Sequence, residues 1–293
     1  MRLAIASGKG GTGKTTVATN LAWIAAQEGR SVAYLDCDVE EPNGHLFLKP
    51  QITFSRPIGR LHPHVDESKC THCGLCGEIC QYSAIVCVGE KVLVYPELCH
   101  ACGGCVLVCR PGAITEVGRE TGKLEAGRAG PVQFVHGLLN LGEAMSAPLV
   151  RQVKAAAPAA DLVIIDSPPG TSCPVIESVR EAGFVLLVTE PTPFGLNDLK
   201  LAVEMVRALK LPLGVVINRA GLGDRETQEY CRRQGIEILA EIPDDRRVAE
   251  VYSRGFLACE AVPEFRTVMQ DLLARILIEH TAKPRMAGLE MGR

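Results

Sequence analysis

Gly8-Lys9-Gly10-Gly11-Thr12-Gly13-Lys14-Thr15 decides the fold of this chain. Its outline, Gly-x4-Gly-Lys-Thr, is the spacing of a phosphate-binding loop. Glycines let backbone N–H groups close round phosphates, the lysine neutralises charge, and the threonine hydroxyl is placed for Mg²⁺. The flanks agree with the motif. An apolar strand, residues 2–6, runs into the loop, and a helical stretch, residues 14–28, leaves it and stops at Gly29. Residues 31–35 form a second apolar strand that closes on Asp36-Cys37-Asp38. Strand, loop, helix, strand opens a doubly wound, mostly parallel α/β sheet. The same pattern resumes later. Strands are expected at 132–136, 162–165, 184–188, 213–217 and 236–240, and helices at 149–157, 196–209 and 263–280.

Between these two parts the pattern breaks. Residues 42–63 are rich in Pro, Gly and His and show no period, so an irregular segment is expected. Two cysteine runs follow, Cys70, Cys73, Cys76, Cys80 and Cys99, Cys102, Cys105, Cys109. Each is C-x2-C-x2-C-x3-C, the spacing of bacterial [4Fe–4S] ferredoxins. The segments KCTHCGLCGEICQYSAI and LCHACGGCVLVCRPGAI align without gaps, and residues 84–95 between them read as a hairpin about Gly89-Glu90. The repeat resembles a two-cluster ferredoxin, an α+β unit. In that family the fourth cysteine of each run ligates the other cluster. The resemblance therefore implies one [4Fe–4S] cluster on Cys70, Cys73, Cys76 and Cys109, and a second on Cys80, Cys99, Cys102 and Cys105. Proline follows the fourth cysteine in the family, whereas Gln81 follows Cys80, and Arg110 stands before Pro111. Paired zinc sites are the alternative, although zinc usually takes its ligands in two separated pairs. Residues 119–130 read as a Gly/Glu/Arg-rich linker. The expected organisation is a P-loop domain over 1–58 and 119–293, with a ferredoxin-like domain inserted at 59–118.

Lys9, early in the loop, adds a second resemblance. KGGTGKT is similar to the deviant phosphate loop of the MinD/ParA/nitrogenase-iron-protein superfamily. Membership implies an ATPase in which Lys9 reaches across a homodimer to the partner's nucleotide. Gly8, Lys9, Gly10, Gly11, Thr12, Gly13, Lys14, Thr15 and Thr16 would then surround the phosphates. Asp38 matches the family's catalytic aspartate and is expected to orient the attacking water. Asp166, ending VIIDSPPG, matches the aspartate that holds Mg²⁺ through water, so Thr15, Asp38 and Asp166 form the expected Mg²⁺ set. Lys9, Lys14 and Asp38 are the expected catalytic residues. Asn218 matches the base-contacting asparagine, and Arg219-Ala220-Gly221 after it lacks the guanine-reading pattern, so ATP is expected over GTP.

Five cysteines lie outside the runs. Cys37, Cys87, Cys231 and Cys259 read as buried apolar residues. Cys173, seven residues past Asp166, is either a packed small residue or, by resemblance to the nitrogenase iron protein, a contributor to a bridging cluster. His62, His64, His72 and His100 read as exposed or as neighbours of the ligand runs, since cysteine completes the ligand sets. The 293 residues carry a net charge of −3, which does not favour nucleic acid. No apolar run spans a bilayer, and Pro284 and two glycines break any apolar face in the tail 281–293. A cytoplasmic location is expected. The preferred role is ATP-coupled electron transfer to an unidentified redox or metalloprotein partner. Iron–sulfur or metal-cofactor assembly and MinD-like spatial regulation are the alternatives. The insertion follows Asp38 closely, so a nucleotide-driven shift is expected to reach the cysteines through residues 40–44.

Overall fold

The computed structural model describes residues 1–282. Eleven strands form: β1 (Arg2–Ala6), β2 (Val32–Asp36), β3 (Gln51–Val65), β4 (Ile85–Val88), β5 (Lys91–Val94), β6 (Ile114–Ala129), β7 (Val132–Leu139), β8 (Leu162–Asp166), β9 (Phe184–Thr189), β10 (Leu213–Ala220) and β11 (Ile238–Pro243). Nine join one sheet in the order β11-β10-β9-β1-β8-β2-β7-β6-β3. From β11 to β7 every pairing is parallel. Strands β1, β2, β8 and β9 read as near-continuous apolar runs because helices cover both faces. Side chains alternate between the two layers with the period of two that a strand imposes. Leu3, Ile5, Val32 and Tyr34 pack under the helices Lys14–Gln27 and Pro263–Ala282. Ala4, Ala6, Ala33 and Leu35 pack under the helices Ala147–Ala155, Cys173–Val179 and Pro193–Ala208.

The chain departs from expectation at the two stretches read as irregular segment and linker. Residues 51–65 and 114–129 are strands, and they pair antiparallel from Gln51 opposite Arg128 to Val65 opposite Ile114. Strand β6 also pairs antiparallel with β7, so this ribbon extends the main sheet. The reason for the misreading is physical. Most of β3 is solvated on both faces, so no apolar period marks it. Pro57 and Pro63 are tolerated because β3 is the edge strand. The ribbon carries the cysteine segment at its far end. There the short helices Leu75–Ile79 and Gly104–Val108 and the expected β4–β5 hairpin enclose a small core of Ile85, Ile114 and Cys76.

None of the helices among the described residues is long and apolar enough to cross a membrane. Residues 283–293, most of the tail considered for membrane attachment, lie outside the described residues.

Gly127 separates a strand from a linker experimentally. A Cβ there would collide with the backbone carbonyl of Gln51 on β3. Gly127→Val is expected to lower stability by about 1–3 kcal/mol, read as a lower urea midpoint at unchanged slope. A midpoint equal to that of the parent chain would show that the ribbon is unpaired at this position.

Candidate nucleotide site and cysteine module

The loop after β1 stands at the carboxyl ends of β1, β2 and β8, where open α/β sheets bind ligands. Gly11 (φ 79°) and Gly13 (φ 91°) adopt the left-handed conformation that starts the helix Lys14–Gln27. Gly8 is required by close approach, since a Cβ there would strike the Asp198 carbonyl. The Asn218 amide donates to the Thr12 carbonyl at 2.9 Å and ties the loop to the end of β10. A cleft of about 460 Å³ opens here. One wall is Gly10, Gly11, Gly13, Lys14, Thr15 and Thr16, and the other includes Asp38, Asn218, Arg219, Asp244 and Asp245. Of the residues predicted from sequence, Gly8, Lys9, Thr12 and Asp166 are not part of this lining. Thr12 is buried, and its hydroxyl has no hydrogen-bond partner.

Three carboxylates gather behind Lys14. Asp166 is fully buried. Its Oδ1 lies 3.7 Å from Lys14 Nζ without a hydrogen bond, and its Oδ2 accepts one from the Tyr34 hydroxyl at 2.8 Å. Asp36, also fully buried, accepts from the backbone N–H of Gly44 at 2.9 Å and of Asp38 at 3.2 Å. Asp36 therefore shapes the loop after β2, while Asp38 lines the cleft. Burial, then the Asp166 charge, pushes the Asp36 carboxyl well above the ordinary range. Burial also raises Asp38, to about 6, against the opposing pull of Lys14. The Tyr34 phenol is raised by burial and by Asp166, and so stays a hydrogen-bond donor. Lys14 thus faces Asp166 and Asp38, and Asp166 Oδ1 has no hydrogen-bond partner.

Lys9 does not face this corner. Its Nζ lies 3.6 Å from Glu190 Oε2, and the other oxygen of Glu190 lies 3.0 Å from Arg219 Nη1.

The cysteines stand round two separate cavities. Cys70, Cys73, Cys76 and Cys109 line one, closed by Val65, Val92 and Ile114. Cys80, Cys99, Cys102 and Cys105 line the other, beside Tyr82 and His100, whose rings stack at 3.5 Å between centroids. The two runs repeat in backbone as well as sequence. His72 (φ 55°) and Ala101 (φ 52°) are left-handed at matching positions, as are Gly74 and Gly103. Burial raises the Cys80 thiol, but backbone N–H groups of Tyr82, Ala84, Ile85 and Ser83 outweigh it and hold the thiol below its ordinary range. Such donors stabilise a thiolate, and N–H···S contacts are one of the means by which a protein tunes an iron–sulfur cluster. Among the described residues, no three His, Cys, Asp or Glu side chains converge on a point that would hold a single metal ion. Outside the runs, Cys37, Cys231 and Cys259 are buried as expected, but Cys87 is half-buried and Cys173 is exposed. The exposure of Cys173 removes its reading as a packed residue.

The chain matches the CobQ/CobB/MinD/ParA nucleotide binding domain over residues 3–257. It belongs to that family. An uncharacterized protein of Methanocaldococcus jannaschii is 32% identical over 258 residues, covering 87% of this chain and 90% of its own. An iron-sulfur cluster carrier protein of the same organism is 23% identical over 297 residues, covering 94% and 84%. Among solved structures, the septum site-determining protein MinD complexed with Mg-ADP from Pyrococcus horikoshii superposes with a TM-score of 0.59 at 21% identity, covering 97% and 99%. That likeness establishes the mostly parallel α/β P-loop NTPase fold.

Within this CobQ/CobB/MinD/ParA site, sequence reasoning missed Tyr34 and Glu190, and gave Asp36 no role beside Asp38. Tyr34 sits in an apolar strand and reads as core, because only its hydroxyl is polar. Asp36 and Asp38 flank one residue, and burial alone separates their roles. Glu190 carried no signal, since it meets Lys9 only through the fold.

The raised Asp38 carboxyl gives stability a definite pH dependence. Between 3.8 and about 6 the folded chain holds a proton that the unfolded chain has released. Stability of the metal-free, nucleotide-free protein is therefore expected to fall as pH rises across that window, and to level off above it. Asp38→Asn removes this component. Urea midpoints measured across the window should drop less in Asp38→Asn than in the parent, and equal drops would contradict the assignment.

Proposed function

We propose that this P-loop NTPase is a Mg²⁺-dependent, cytoplasmic ATPase that works as a homodimer and carries two [4Fe–4S] clusters in the inserted segment 59–118. Nucleotide state is coupled to electron transfer with a redox or metalloprotein partner. The observation that carries this reading is the sorting of eight cysteines into two cavities, each lined by three cysteines of one run and the fourth of the other. A single zinc ion needs four ligands about 2.3 Å from one point, whereas a cubane cluster spreads its cysteines round its own volume. Among the described residues no three of these side chains converge on one point, which favours the larger group over zinc. The eight cysteines would hold the clusters, which would supply one-electron chemistry, and backbone N–H groups lie at the sulfurs of Cys80 and Cys99.

In the cleft, Gly8–Thr16 receives the phosphates. Thr15, Asp38 and Asp166 organise Mg²⁺, Asp38 directs the attacking water, and Asn218 meets the base. Lys9 leaves Glu190 to act on the partner's nucleotide. A second reading, iron–sulfur cluster carriage, is favoured by relatives named iron-sulfur cluster carrier proteins. Against it, Cys76 and Cys99 are buried, and ligands drawn from both halves lock a cluster into the folded segment.

Anaerobically purified protein is expected to hold about eight iron and eight sulfide per chain, and Cys80→Ser about half of each, with the second cavity emptied. Zinc at two per chain without iron after anaerobic reconstitution would overturn the cluster reading. Cluster transfer from this chain to an apo-ferredoxin, with no electron transfer from it to a cluster-loaded ferredoxin, would favour the carrier.

Lys14→Ala is expected to weaken ATP binding by about 100-fold, or ~3 kcal/mol, because a buried charge loses its partner. Lys9→Ala is expected to retain binding and lose hydrolysis and ATP-driven dimerisation. Isothermal calorimetry and sedimentation measure the two effects. Unchanged hydrolysis in Lys9→Ala would rule out its action across the dimer.

A further inference from the structure

The cysteine segment is not tethered by its ribbon alone. Arg60, on β3, sends its guanidinium to the 3-10 turn Pro96–Leu98 and to the cysteine that follows it. It donates to the carbonyls of Cys99 at 2.5 Å, Glu97 at 3.0 Å and Pro96 at 3.3 Å. The same group lies 3.5 Å from Glu143 Oε2, and Arg119 Nη2 lies 2.6 Å from Glu143 Oε1. The Arg60 and Glu143 side chains are only 9% and 3% exposed. Water therefore screens little of this contact, and the fork geometry of arginine fixes its direction.

Glu143 lies in the loop after β7, and that loop leads back to the nucleotide cleft. The Leu139 N–H donates to the Val39 carbonyl at 2.9 Å, and Val39 follows Asp38 directly. Gly137 packs so closely on Val39 that a Cβ there would lie 2.8 Å from its methyl. The loop itself is pinned, since Asn140 N–H donates to Thr121 on β6 at 2.9 Å and Glu143 N–H to Asn140 at 3.2 Å. A continuous path of packed and hydrogen-bonded groups thus runs from Asp38 through Val39, Leu139, Glu143 and Arg60 to Cys99. On the expected route through residues 40–44, Gly44 is held by Asp36.

We propose that Arg60, held by Glu143, is a positioning residue that transmits the state of the Asp38 loop to the Cys99 arm of the second cysteine set. The proposal rests on the reading of the cleft as an ATP site. It does not require that the clusters be loaded, because the path is made of protein groups.

Amide hydrogen exchange on the full chain tests it, with and without a non-hydrolysable ATP analogue and Mg²⁺. In the parent chain the analogue is expected to slow exchange at residues 97–101 by about 5-fold or more, the lower end of ordinary coupling between sites. Arg60→Ala is expected to lose that response while the helix Lys14–Gln27 still responds and analogue affinity is retained. Arg60→Lys, which keeps charge without the fork, is expected to restore part of it. Should Arg60→Ala fail to fold, Glu143→Gln carries the test, since it preserves shape and removes the charge that orients Arg60. Analogue binding with silent amides at 97–101 in the parent, or an undiminished response in the folded variants, overturns the proposal alone. Failure of the parent to bind the analogue, read separately by calorimetry, removes the proposal together with the ATP reading. A chain that binds analogue and shows the response but takes up no iron leaves the positioning role standing and removes only the clusters.

Discussion

Charge confinement at the carboxyl ends of β2 and β8 organises this molecule. Asp36 and Asp166 are paired in register across those strands and have no exposure to water. Such a pair is costly unless something answers each oxygen. Lys14, the Tyr34 hydroxyl and the backbone N–H groups of Gly44 and Asp38 provide the answers that protein alone can give. Every one of these contacts fixes a segment. Lys14 fixes the phosphate loop, Gly44 the chain leaving β2, and Asp38 the wall of the cleft. The phosphate loop and the loop leading to the insertion are thus set by the same buried acids.

Nucleotide-domain architecture was legible because its strands are buried on both faces and its loop has a fixed spacing. The cysteine repeat was legible for a different reason: its two halves carry the same spacing, and the left-handed backbone at His72 and Gly74 recurs at Ala101 and Gly103. Both sources failed at the ribbon. Arg56, Arg60, Arg119 and Arg128 on β3 and β6 look like a solvated linker, and only pairing with each other and with β7 makes those residues strands. Long-range contacts failed too. Nothing local links Lys9 to Glu190 or Arg60 to Glu143, which are 181 and 83 residues apart in the chain.

The relatives share the nucleotide domain over most of their length, yet bear names ranging from cluster carriage to septum-site determination. That spread fits a fold whose function is written by what is attached to it. Here the attachment is a module that meets the sheet through a two-stranded ribbon and a buried arginine. Its position relative to the cleft is accordingly defined, whereas a module on a flexible tether would sample many positions.

The ribbon also determines how the molecule behaves in company. Strand β3 is the outermost of nine, and its free side offers a row of backbone donors and acceptors to any other sheet. Long exposed edges of this kind template unwanted growth. Pro57 and Pro63 each delete a donor from the row, and register shifts after Ile52 and Ile58 bend it. Arg56 and Arg60 add charge along the same strand. The nine-stranded sheet is thus guarded against edge-to-edge growth, because its last strand is a poor template for a tenth.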